Sequence, residues 1–541
     1  MPSRVTEARW TAGWVILWLM LALVALITRP VLPIDETRYL SVAWEMWHGG
    51  HFLVPHVNGL PYSHKPPLLF WLIHLGWVLW GVNAFSARMT APVFGLLGLF
   101  LTVHLAGRLW PAQHSVARHA PFVLLGLPLW AVFGTLTMFD LPLAFFVLLG
   151  AVGFLMASGE SVVSGWALAG IAMGAGLLTK GPVILLHLLP LGLLAPWWMQ
   201  SGCRGLERWR WYAGLLIALL IALTVALAWA LPAADSGGAA YAQAILWHQT
   251  AGRMVRSFAH SRPVWWYATL LPLVLFPWCF EMPLWRRVRR MRLDPGSRFC
   301  LSWALPPLLL LSLVSGKQIH YLIPLLPPVA LLFARGMAAL PWPAAGRRLW
   351  PVAFLFMLAG IALLALPGLP IDAGSLPAMR KGMPIWGLLM LAGGIVLFLW
   401  KARTRTAAVA GSCAAVSVFI ALIHVGPLRR VEKAYDIAPM SAKISRLQTA
   451  GRQIAVWPAK YAGQFQFAGR LTQPLATPKD RTALRKWTKR HPGGYVVLFT
   501  SQKVSLAHGL RPEFAQPFRR GRVALWRATV LQRAPKVIDR L

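Results

Sequence analysis

The chain has 541 residues, of which 57% are hydrophobic and only 13% are charged. A soluble protein carries about a quarter charged residues, so this composition excludes an ordinary soluble enzyme and indicates a membrane protein. The net charge of +37 is divided between short loops and the C-terminal region, whereas nucleic-acid binders concentrate their charge on a soluble fold. We therefore expect contacts with anionic membrane lipids and not with nucleic acid.

Apolar runs recur along most of the chain, and a helix of about 20 apolar residues is long enough to cross a bilayer. Thirteen runs are predicted as spans: 10–29, 86–108, 119–138, 141–158, 163–179, 182–200, 211–231, 263–282, 297–315, 321–340, 349–368, 383–400 and 407–425. The run 66–82 is different, because crossing there would move the N-terminus or the basic loop 108–118 to the outer face. We predict that it forms a juxtamembrane helix on the outer surface.

Basic loops set the orientation, since loops rich in Lys and Arg stay on the cytoplasmic side. The strongest are 204–210 and 286–292, followed by 347–348 and 401–405. With these loops inside, the first loop and the C-terminal region lie outside. We predict a polytopic α-helical transmembrane domain over 1–426 and a small outer α/β domain over 427–541.

The C-terminal region alternates apolar and basic segments. Short runs rich in β-branched and aromatic residues predict strands at 452–457, 464–467, 495–499 and 523–526. Helices are predicted at 438–448 and 478–490. Because no catalytic motif is present here, we expect a domain that packs on the membrane part or orients an acceptor.

The first outer loop opens with Asp35-Glu36-Thr37-Arg38-Tyr39. Asp35 and Arg38 are three residues apart, so they lie side by side on a helix. The pattern fits an acid and a cation at the membrane surface. It also fits an N-capped amphipathic helix with Arg38 as a snorkelling residue.

The same loop continues with Tyr62-Ser63-His64-Lys65-Pro66-Pro67. The residue before a proline is held in an extended conformation. Lys65 would therefore present a well-placed point charge to a phosphate group. The alternative is an interfacial lysine that reaches towards water.

Further charged and phenolic residues fall at outer ends of the predicted spans or in the outer loop 232–262. An acid at such a position usually faces protein or a polar cavity, and two arginines three apart on a helix suit a phosphate. The residues concerned are Asp140, Lys180, Arg253, Arg256, His260, Lys317 and Tyr321. Lys180 and its neighbours fit a simple exposed turn equally well.

The predicted topology places this whole set on one face of the membrane, together with Asp35 and Lys65. A cavity with two acids and many cations suits a phosphate-bearing substrate, because cations stabilise a leaving phosphate and a carboxylate positions or deprotonates an acceptor. The chain carries no P-loop, dinucleotide fingerprint or zincin motif. A soluble nucleotide donor is therefore not indicated.

The stretches 33–39 and 54–66 resemble the first periplasmic loop of the bacterial aminoarabinose transferases of lipid A (ArnT) and, more widely, the protein-mannosyltransferase-like GT-C glycosyltransferases. Segments 137–142, 178–182 and 317–324 are similar to further family segments. The resemblance implies a GT-C fold of about thirteen spans and outer juxtamembrane helices, with a periplasmic C-terminal domain. It also implies a bacterial inner-membrane location, an undecaprenyl-phosphate-linked sugar donor and inversion at the anomeric carbon.

The same resemblance assigns roles to individual residues. It implies that Asp35, Asp140 and Lys65 are catalytic. We expect a second set to bind the carrier or substrate phosphates: Arg38, Tyr39, Tyr62, Lys180, Arg253, Arg256, Lys317 and Tyr321. The resemblance places Arg38 and Tyr39 beside the first-loop acid and Tyr321 in the cavity. The family has a metal-binding Glu where this chain has His64, and His64 with His260 could hold zinc instead, although two ligands do not make a site.

We therefore expect a glycosyltransferase that moves an amino sugar such as aminoarabinose from undecaprenyl phosphate to a lipid A phosphate, and that acts as a monomer. One alternative is transfer to a hydroxyl of a protein or an O-antigen sugar, which needs a general base more than a phosphate does. A second alternative is a lipid or ion transporter, which predicts acids near the middle of spans. No acid lies near the centre of any predicted span.

Overall fold

The computed structural model describes residues 4–159, 161–199, 206–246, 261–281, 293–343, 345–368, 382–458, 461–501, 511–519 and 521–533. Helices dominate the chain as far as residue 431, and a small sheet follows. The helices before the first long connection are α1 Arg4–Thr28, α2 Asp35–Gly49, α3 Leu68–Trp80, α4 Ala84–Leu109, α5 His114–Leu125, α6 Pro128–Phe133, α7 Asp140–Ala157, α8 Val162–Lys180, α9 Val183–Leu193, α10 Ala195–Trp198 and α11 Leu206–Gln243. The later ones in this part are α12 Trp266–Val274, α13 Pro295–Leu313, α14 Leu326–Ala338, α15 Trp350–Ala365, α16 Met383–Leu399, α17 Arg405–Ile423 and α18 Arg429–Val431.

Nine of the described helical segments are long and apolar enough to cross a membrane. They correspond to nine of the thirteen predicted spans. The other four predicted spans are interrupted or shorter: 119–138 is divided into α5 and α6, 182–200 into α9 and α10, 263–282 begins with the nine residues of α12, and α16 has 17 residues. Prolines at the breaks explain the interruptions, because proline ends or kinks a helix. The count of thirteen stays a prediction.

The first loop folds into a layer of its own, which we call the first-loop layer: α2, the hairpin of β1 His56–Val57 and β2 Leu60–Pro61, and α3. Asn58 and Gly59 connect the two strands with positive φ values of 53° and 75°, as a tight two-residue hairpin turn requires. One face of α2 packs on α3 in a separate apolar cluster that includes Leu40, Phe70 and Trp77. With 13 residues, α3 is about 20 Å long, too short for a bilayer core of about 30 Å. Its length supports the predicted juxtamembrane helix.

Two short strands in the helical part, β3 Arg347–Arg348 and β4 Lys401–Ala402, pair with each other, and the C-terminal region forms a four-stranded sheet in the order β5-β6-β8-β7. Its strands are β5 Ile454–Trp457, β6 Tyr495–Ser501, β7 Phe514–Phe518 and β8 Gly521–Arg527, and its helices are α19 Ala438–Thr449, α20 Gln466–Gly469, α21 Arg481–Arg490 and α22 Ala528–Arg533. Only the β5–β6 pair is parallel. The predicted small α/β fold is confirmed, whereas the domain boundary at 426/427 stays a prediction.

One predicted strand, 464–467, is wrong, because Gln466–Gly469 is a short helix. Gly463 precedes it with a φ of 76°, which turns the chain. Phe465 then packs in the core beneath the sheet, while Phe467 packs against the first-loop layer. The two aromatic residues therefore pack against two different surfaces. Their spacing of two residues is also the spacing of same-face residues in a strand.

The C-terminal domain is bonded directly to the first-loop layer. The side-chain amide of Asn58 donates to the carbonyl of Leu475 at 2.9 Å and accepts the N–H of Leu475 at 2.8 Å. The N–H of Phe467 donates to the Ser41 hydroxyl at 3.1 Å, and the Phe467 ring stacks on Trp77. These contacts place the C-terminal domain on the same side of the molecule as the first loop.

Candidate functional site

A buried ion pair lies at the junction of α7 and α8. Asp140 is the first residue of α7 and Lys180 is the last residue of α8, and the lysine Nζ lies 2.6 Å from the Asp140 carboxylate. Both side chains are less than a tenth exposed. The cation also lies 4.7 Å from the centre of the Tyr321 ring. Two helix ends and the segment before α14 therefore meet at one point.

Asp35 and Arg38 form a second, more open pair at the start of α2. They make a salt bridge one helical turn apart, as their spacing predicts, and half of the Asp35 side chain is exposed. The Arg38 guanidinium lies 5.3 Å from the centre of the Tyr39 ring. Burial raises the pKa of Tyr39, with a further contribution from Asp35, so its phenol stays neutral and does not act as a base.

Lys65 connects the two pairs in space. Its Nζ lies 5.5 Å from the centre of the Phe139 ring, directly before Asp140 in the chain, and the Tyr39 ring packs edge-on against the same Phe139. Asp140 interacts electrostatically with Lys65. The structure thus brings together both predicted acids and the predicted first-loop lysine.

The cluster contains His320, which the sequence did not single out as a site residue. Its ring packs against Phe133 and edge-on against Tyr321, at centroid distances of 5.6 and 4.9 Å. It interacts electrostatically with Asp140 and with Asp35. A titratable ring directly before Tyr321 was the signal that could have identified it.

Glu36 is the other residue that the sequence did not assign to the site. Its side chain is buried, and its carboxylate accepts the N–H of Thr137 at 2.8 Å and that of Leu32 at 3.0 Å. Arg29 lies 3.3 Å from the same carboxylate and donates to the carbonyl of Thr135 at 2.7 Å. Glu36 therefore fixes the turn before Asp140 to the start of the helix that carries Asp35.

The electrostatics of Glu36 favour its charged form. Burial alone would raise its pKa, but Arg29, Arg88 and the two backbone N–H donors outweigh burial, and the pKa lies below its ordinary value. Arg88 adds a second function, because it donates to the carbonyls of Leu26 and Arg29 at 3.0 and 2.9 Å and so caps the end of α1. Glu36 is therefore ionised, and its role is to hold neighbouring segments together.

Lys317 has surroundings that differ from those predicted. Its side chain is buried, and its Nζ donates to the backbone carbonyls of Arg262 and Val314. Arg262 N also donates to Ser315 O. These bonds join the segments before α12 and after α13, so the lysine is committed to carbonyl oxygens and is not directed at the acid pairs.

The remaining predicted residues fall into two groups. Tyr62 is buried, with its ring packed against His64 and Phe70 at centroid distances of 5.2 and 6.3 Å. Arg253, Arg256 and His260 lie outside the described residues. Their predicted roles in phosphate and metal binding stay predictions.

The described residues provide an incomplete basis for a metal. Throughout the described ranges, no three His, Cys, Asp or Glu side chains converge as a metal-binding group, whereas a protein zinc site takes three or four ligands. His64 is exposed and packs against Tyr62. The described donors therefore do not fit a zinc ion, and the step proposed below involves amino-acid side chains alone.

Comparison with known proteins shows a likeness in sequence and a likeness in fold. A family model described as dolichyl-phosphate-mannose-protein mannosyltransferase matches residues 64–229. The undecaprenyl phosphate-alpha-4-amino-4-deoxy-L-arabinose arabinosyl transferase of Pseudomonas paraeruginosa is 34% identical over 316 residues, which are 56% of this chain and 55% of that protein. Enzyme 1 of that name from Pseudomonas fluorescens is 31% identical over 386 residues, which are 68% of this chain and 64% of that protein. The chain thus spans between about half and two thirds of the length of these relatives.

The fold is shared more widely than the sequence. ArnT from Cupriavidus metallidurans, crystallised with undecaprenyl phosphate, superposes with a TM-score of 0.78 over 95% of this chain and 97% of that chain, at 21% identity. Its apo crystal structure gives the same TM-score over 96% and 99%. The predicted fold class and the predicted resemblance are therefore confirmed, apart from the number of spans: the chain has the fold of ArnT along nearly its whole length.

Proposed function

We propose that this chain transfers an amino sugar, aminoarabinose or a close relative, from undecaprenyl phosphate to a lipid A phosphate on the periplasmic face of the inner membrane. The observation that carries the proposal is the convergence of Asp35, Lys65 and the Asp140–Lys180 pair from four separate segments. The likeness to an ArnT structure that holds undecaprenyl phosphate supports the donor. The names of the relatives support the sugar.

The reaction breaks the bond between the anomeric carbon and the carrier phosphate oxygen, and that oxygen keeps the electron pair. An oxygen of the acceptor phosphate forms the new bond from the opposite face, which inverts the anomeric centre. Lys65 is the cation placed to stabilise the departing undecaprenyl phosphate, because charge that develops on a leaving group is best met by preorganised donors.

Asp35 contributes by positioning the Arg38 guanidinium and not by removing a proton. A lipid A phosphate is already ionised at neutral pH and needs no base. Asp35 is exposed and paired with Arg38, so it holds the guanidinium at the mouth of the cluster, where the acceptor phosphate would meet it. Arginine suits this role better than lysine, because its guanidinium can donate two parallel hydrogen bonds to one phosphate.

The buried pair forms the floor of the proposed cavity. Asp140 neutralises Lys180 in a place where an unpaired charge would be costly. Lys180 in turn lies over the Tyr321 ring. The floor therefore keeps its shape when the sugar is absent, which lowers the cost of ordering the site.

The first-loop layer and the C-terminal domain would share the periplasmic side, because Asn58 and Leu475 bond them together. A strongly basic domain beside the acceptor's entrance would attract anionic lipid A. The proposed enzyme acts as a monomer among membrane lipids.

Lipid A from intact cells tests the proposal. A bacterial strain that lacks its own aminoarabinose transferase would express the wild type, Asp35→Asn, Lys65→Ala or Glu207→Gln, with protein levels matched. Glu207 is an exposed acid at the start of α11 and serves as the matched control. We expect lipid A to gain the mass of one amino sugar with the wild type and Glu207→Gln only. Full modification in Asp35→Asn and Lys65→Ala cells would contradict the assignment.

A second candidate is transfer to a hydroxyl group, favoured by the match to the mannosyltransferase model over residues 64–229. That acceptor would require Asp35 to remove a proton. Lipid A would then keep its mass, while a glycosylated protein or sugar would appear with the wild type and be lost in Asp35→Asn.

A further inference from the structure

A pocket lies at the end of the helical bundle opposite to the candidate site. α14 follows directly on the segment that carries Tyr321 and ends at Ala338, next to this pocket. α17 begins in the pocket at Arg405, and its other end leads to the C-terminal domain. Because that domain contacts the first-loop layer, the two sites lie at opposite ends of the same helices.

The pocket is built where three helices begin or end. Arg347 and Arg348 pair with Ala402 and Lys401 in a two-stranded ladder, β3 Arg347–Arg348 with β4 Lys401–Ala402, between the start of α15 and the end of α16. Its apolar wall includes the following side chains: Trp278, Met337, Leu340, Leu349, Ala408 and Val409. A half-apolar pocket at a helix junction is typical of a site for an amphiphile.

Its polar lining is rich in cations. Arg347, Arg348 and Arg405 face one acid, Glu281. Among the residues that the structure describes, none of the three arginines forms a salt bridge. The single acid of the lining can neutralise at most one of the three charges.

The arginines are held in place by other partners. Arg405 donates its two terminal nitrogens to the carbonyls of Ala338 and Leu340. Arg347 lies 5.2 Å from the centre of the Trp342 ring, and Arg348 lies 4.9 Å from that of Phe398. The guanidinium groups are therefore positioned before any ligand arrives, which lowers the entropic cost of binding.

Two N–H groups in the lining lack acceptors. Within the described part of the chain, the Nε of Arg405 and the indole Nε1 of Trp342 are buried and make no hydrogen bond. A buried donor without a partner is unfavourable, because it has lost its hydrogen bond to water without replacement. An anion with several acceptor oxygens would satisfy both donors and balance the excess charge together.

We propose that this pocket binds the phosphate of an anionic phospholipid, with the glycerol and upper acyl region against its apolar wall. Basic pockets between membrane helices are suited to such head groups. The flanking loops 347–348 and 401–405 are among those that the sequence places on the cytoplasmic side, so the lipid would come from the inner leaflet. The bound lipid would join the ends of α14, α15 and α17.

The full-length protein, delipidated in a neutral detergent, tests the proposal without use of its transfer activity. The melting midpoint is measured with added phosphatidylglycerol, phosphatidylcholine or inorganic phosphate, and retained lipid is counted by native mass spectrometry. We expect phosphatidylglycerol alone to be retained and to raise the midpoint, because a ligand that binds only the folded state stabilises it.

Variants separate this pocket from general charge. Arg347→Gln/Arg348→Gln removes two cations of the pocket, and Arg452→Gln/Arg522→Gln removes two exposed cations of the C-terminal domain as a matched control. Trp342→Phe removes one indole donor and keeps an aromatic ring beneath Arg347. We expect affinity for phosphatidylglycerol to fall about ten-fold in the pocket double variant, because the loss of one charge-assisted hydrogen bond has that effect. Affinity should fall less in Trp342→Phe. It should be unchanged in the control.

Three outcomes would overturn the proposal. Equal stabilisation of all variants by phosphatidylglycerol would show that binding occurs elsewhere. Equal protection by phosphatidylcholine would show that charge is not recognised. Equal protection by inorganic phosphate would overturn the lipid source. If the pocket double variant fails to fold, Trp342→Phe against the wild type decides on the same readouts.

Discussion

The carboxylate of Glu36 accepts the backbone N–H of Thr137 at 2.8 Å. This bond joins the helix that begins at Asp35 to the turn that leads into Asp140. Two acids that are far apart in the chain thereby keep a fixed relation. Through this hydrogen bond the first loop can control the geometry of the buried Asp140–Lys180 pair.

Glu36→Gln should destabilise the fold by about 3 kcal/mol, because it leaves Arg29 buried without its counter-charge. Glu7→Gln is the matched control, since Glu7 pairs with Arg118 in a more exposed place, where the loss should stay below about 1 kcal/mol. Thermal unfolding in detergent measures both variants. Equal shifts in the two would mean that the Glu36 pair is no more important than a surface pair.

The low pKa of Glu36 predicts a pH dependence with a definite sign. Its folded-state pKa lies below the ordinary value of 4.5, so its contribution to stability is fully present above about pH 4.5. The contribution is lost as the pH falls through the folded-state pKa. Melting curves recorded from pH 7 to pH 3 should converge for the wild type and Glu36→Gln at the acidic end. A difference that grows towards low pH would have the wrong sign.

The Asp140–Lys180 pair predicts strong non-additivity. Asp140→Leu or Lys180→Met alone leaves one buried charge unpaired, which costs about 3–5 kcal/mol, whereas the double variant leaves none. We expect the double variant to be more stable than either single variant. It should still be inactive if Lys180 shapes the floor of the site. Additive losses in stability would show that the two side chains do not act as a pair.

Asn58→Gly should loosen the C-terminal domain without disturbing the hairpin turn. Glycine accepts the positive φ of 53° at this position, but it removes the side-chain bonds to Leu475 and Gln466. Hydrogen exchange at Leu475 should rise by about ten-fold, the effect of about 1.4 kcal/mol. Gln448→Ala, which removes an exposed bond to Gln473, is the control. Unchanged exchange in Asn58→Gly would mean that other contacts dock the domain.

The fold class was predictable because apolar runs and basic loops report directly on how a chain meets a bilayer. Nine predicted spans fall on helical segments long enough to cross a membrane, whereas 119–138 and 182–200 are broken at prolines inside otherwise apolar runs. Hydropathy sums over a window and does not detect such a break. The strand predicted at 464–467 was wrong because a local pattern does not show which residues pack together. Phe465 and Phe467 lie two apart, as in a strand, but they pack in different clusters.

Site residues whose partners are other side chains were easier to predict than those whose partners are backbone groups. Asp35 and Arg38 pair as their spacing indicates. Glu36 was missed as a site residue because its partners, Thr137 and Leu32, are peptide N–H groups, which the sequence does not distinguish from any others. Lys317 was predicted to bind a phosphate because the sequence shows its charge but not its partners. Those partners are backbone carbonyls, which reach the lysine only when two distant segments fold together.

Transfer in a purified system tests the central claim most directly. The full-length protein in proteoliposomes would receive undecaprenyl phosphate-aminoarabinose with either lipid A or lipid A from which the phosphates have been removed. Mass spectrometry should show addition of one pentosamine to lipid A only, with loss of that product in Asp35→Asn and Lys65→Ala and retention in Glu207→Gln. Transfer to the phosphate-free acceptor, or no transfer to lipid A by the wild-type protein, would contradict the account.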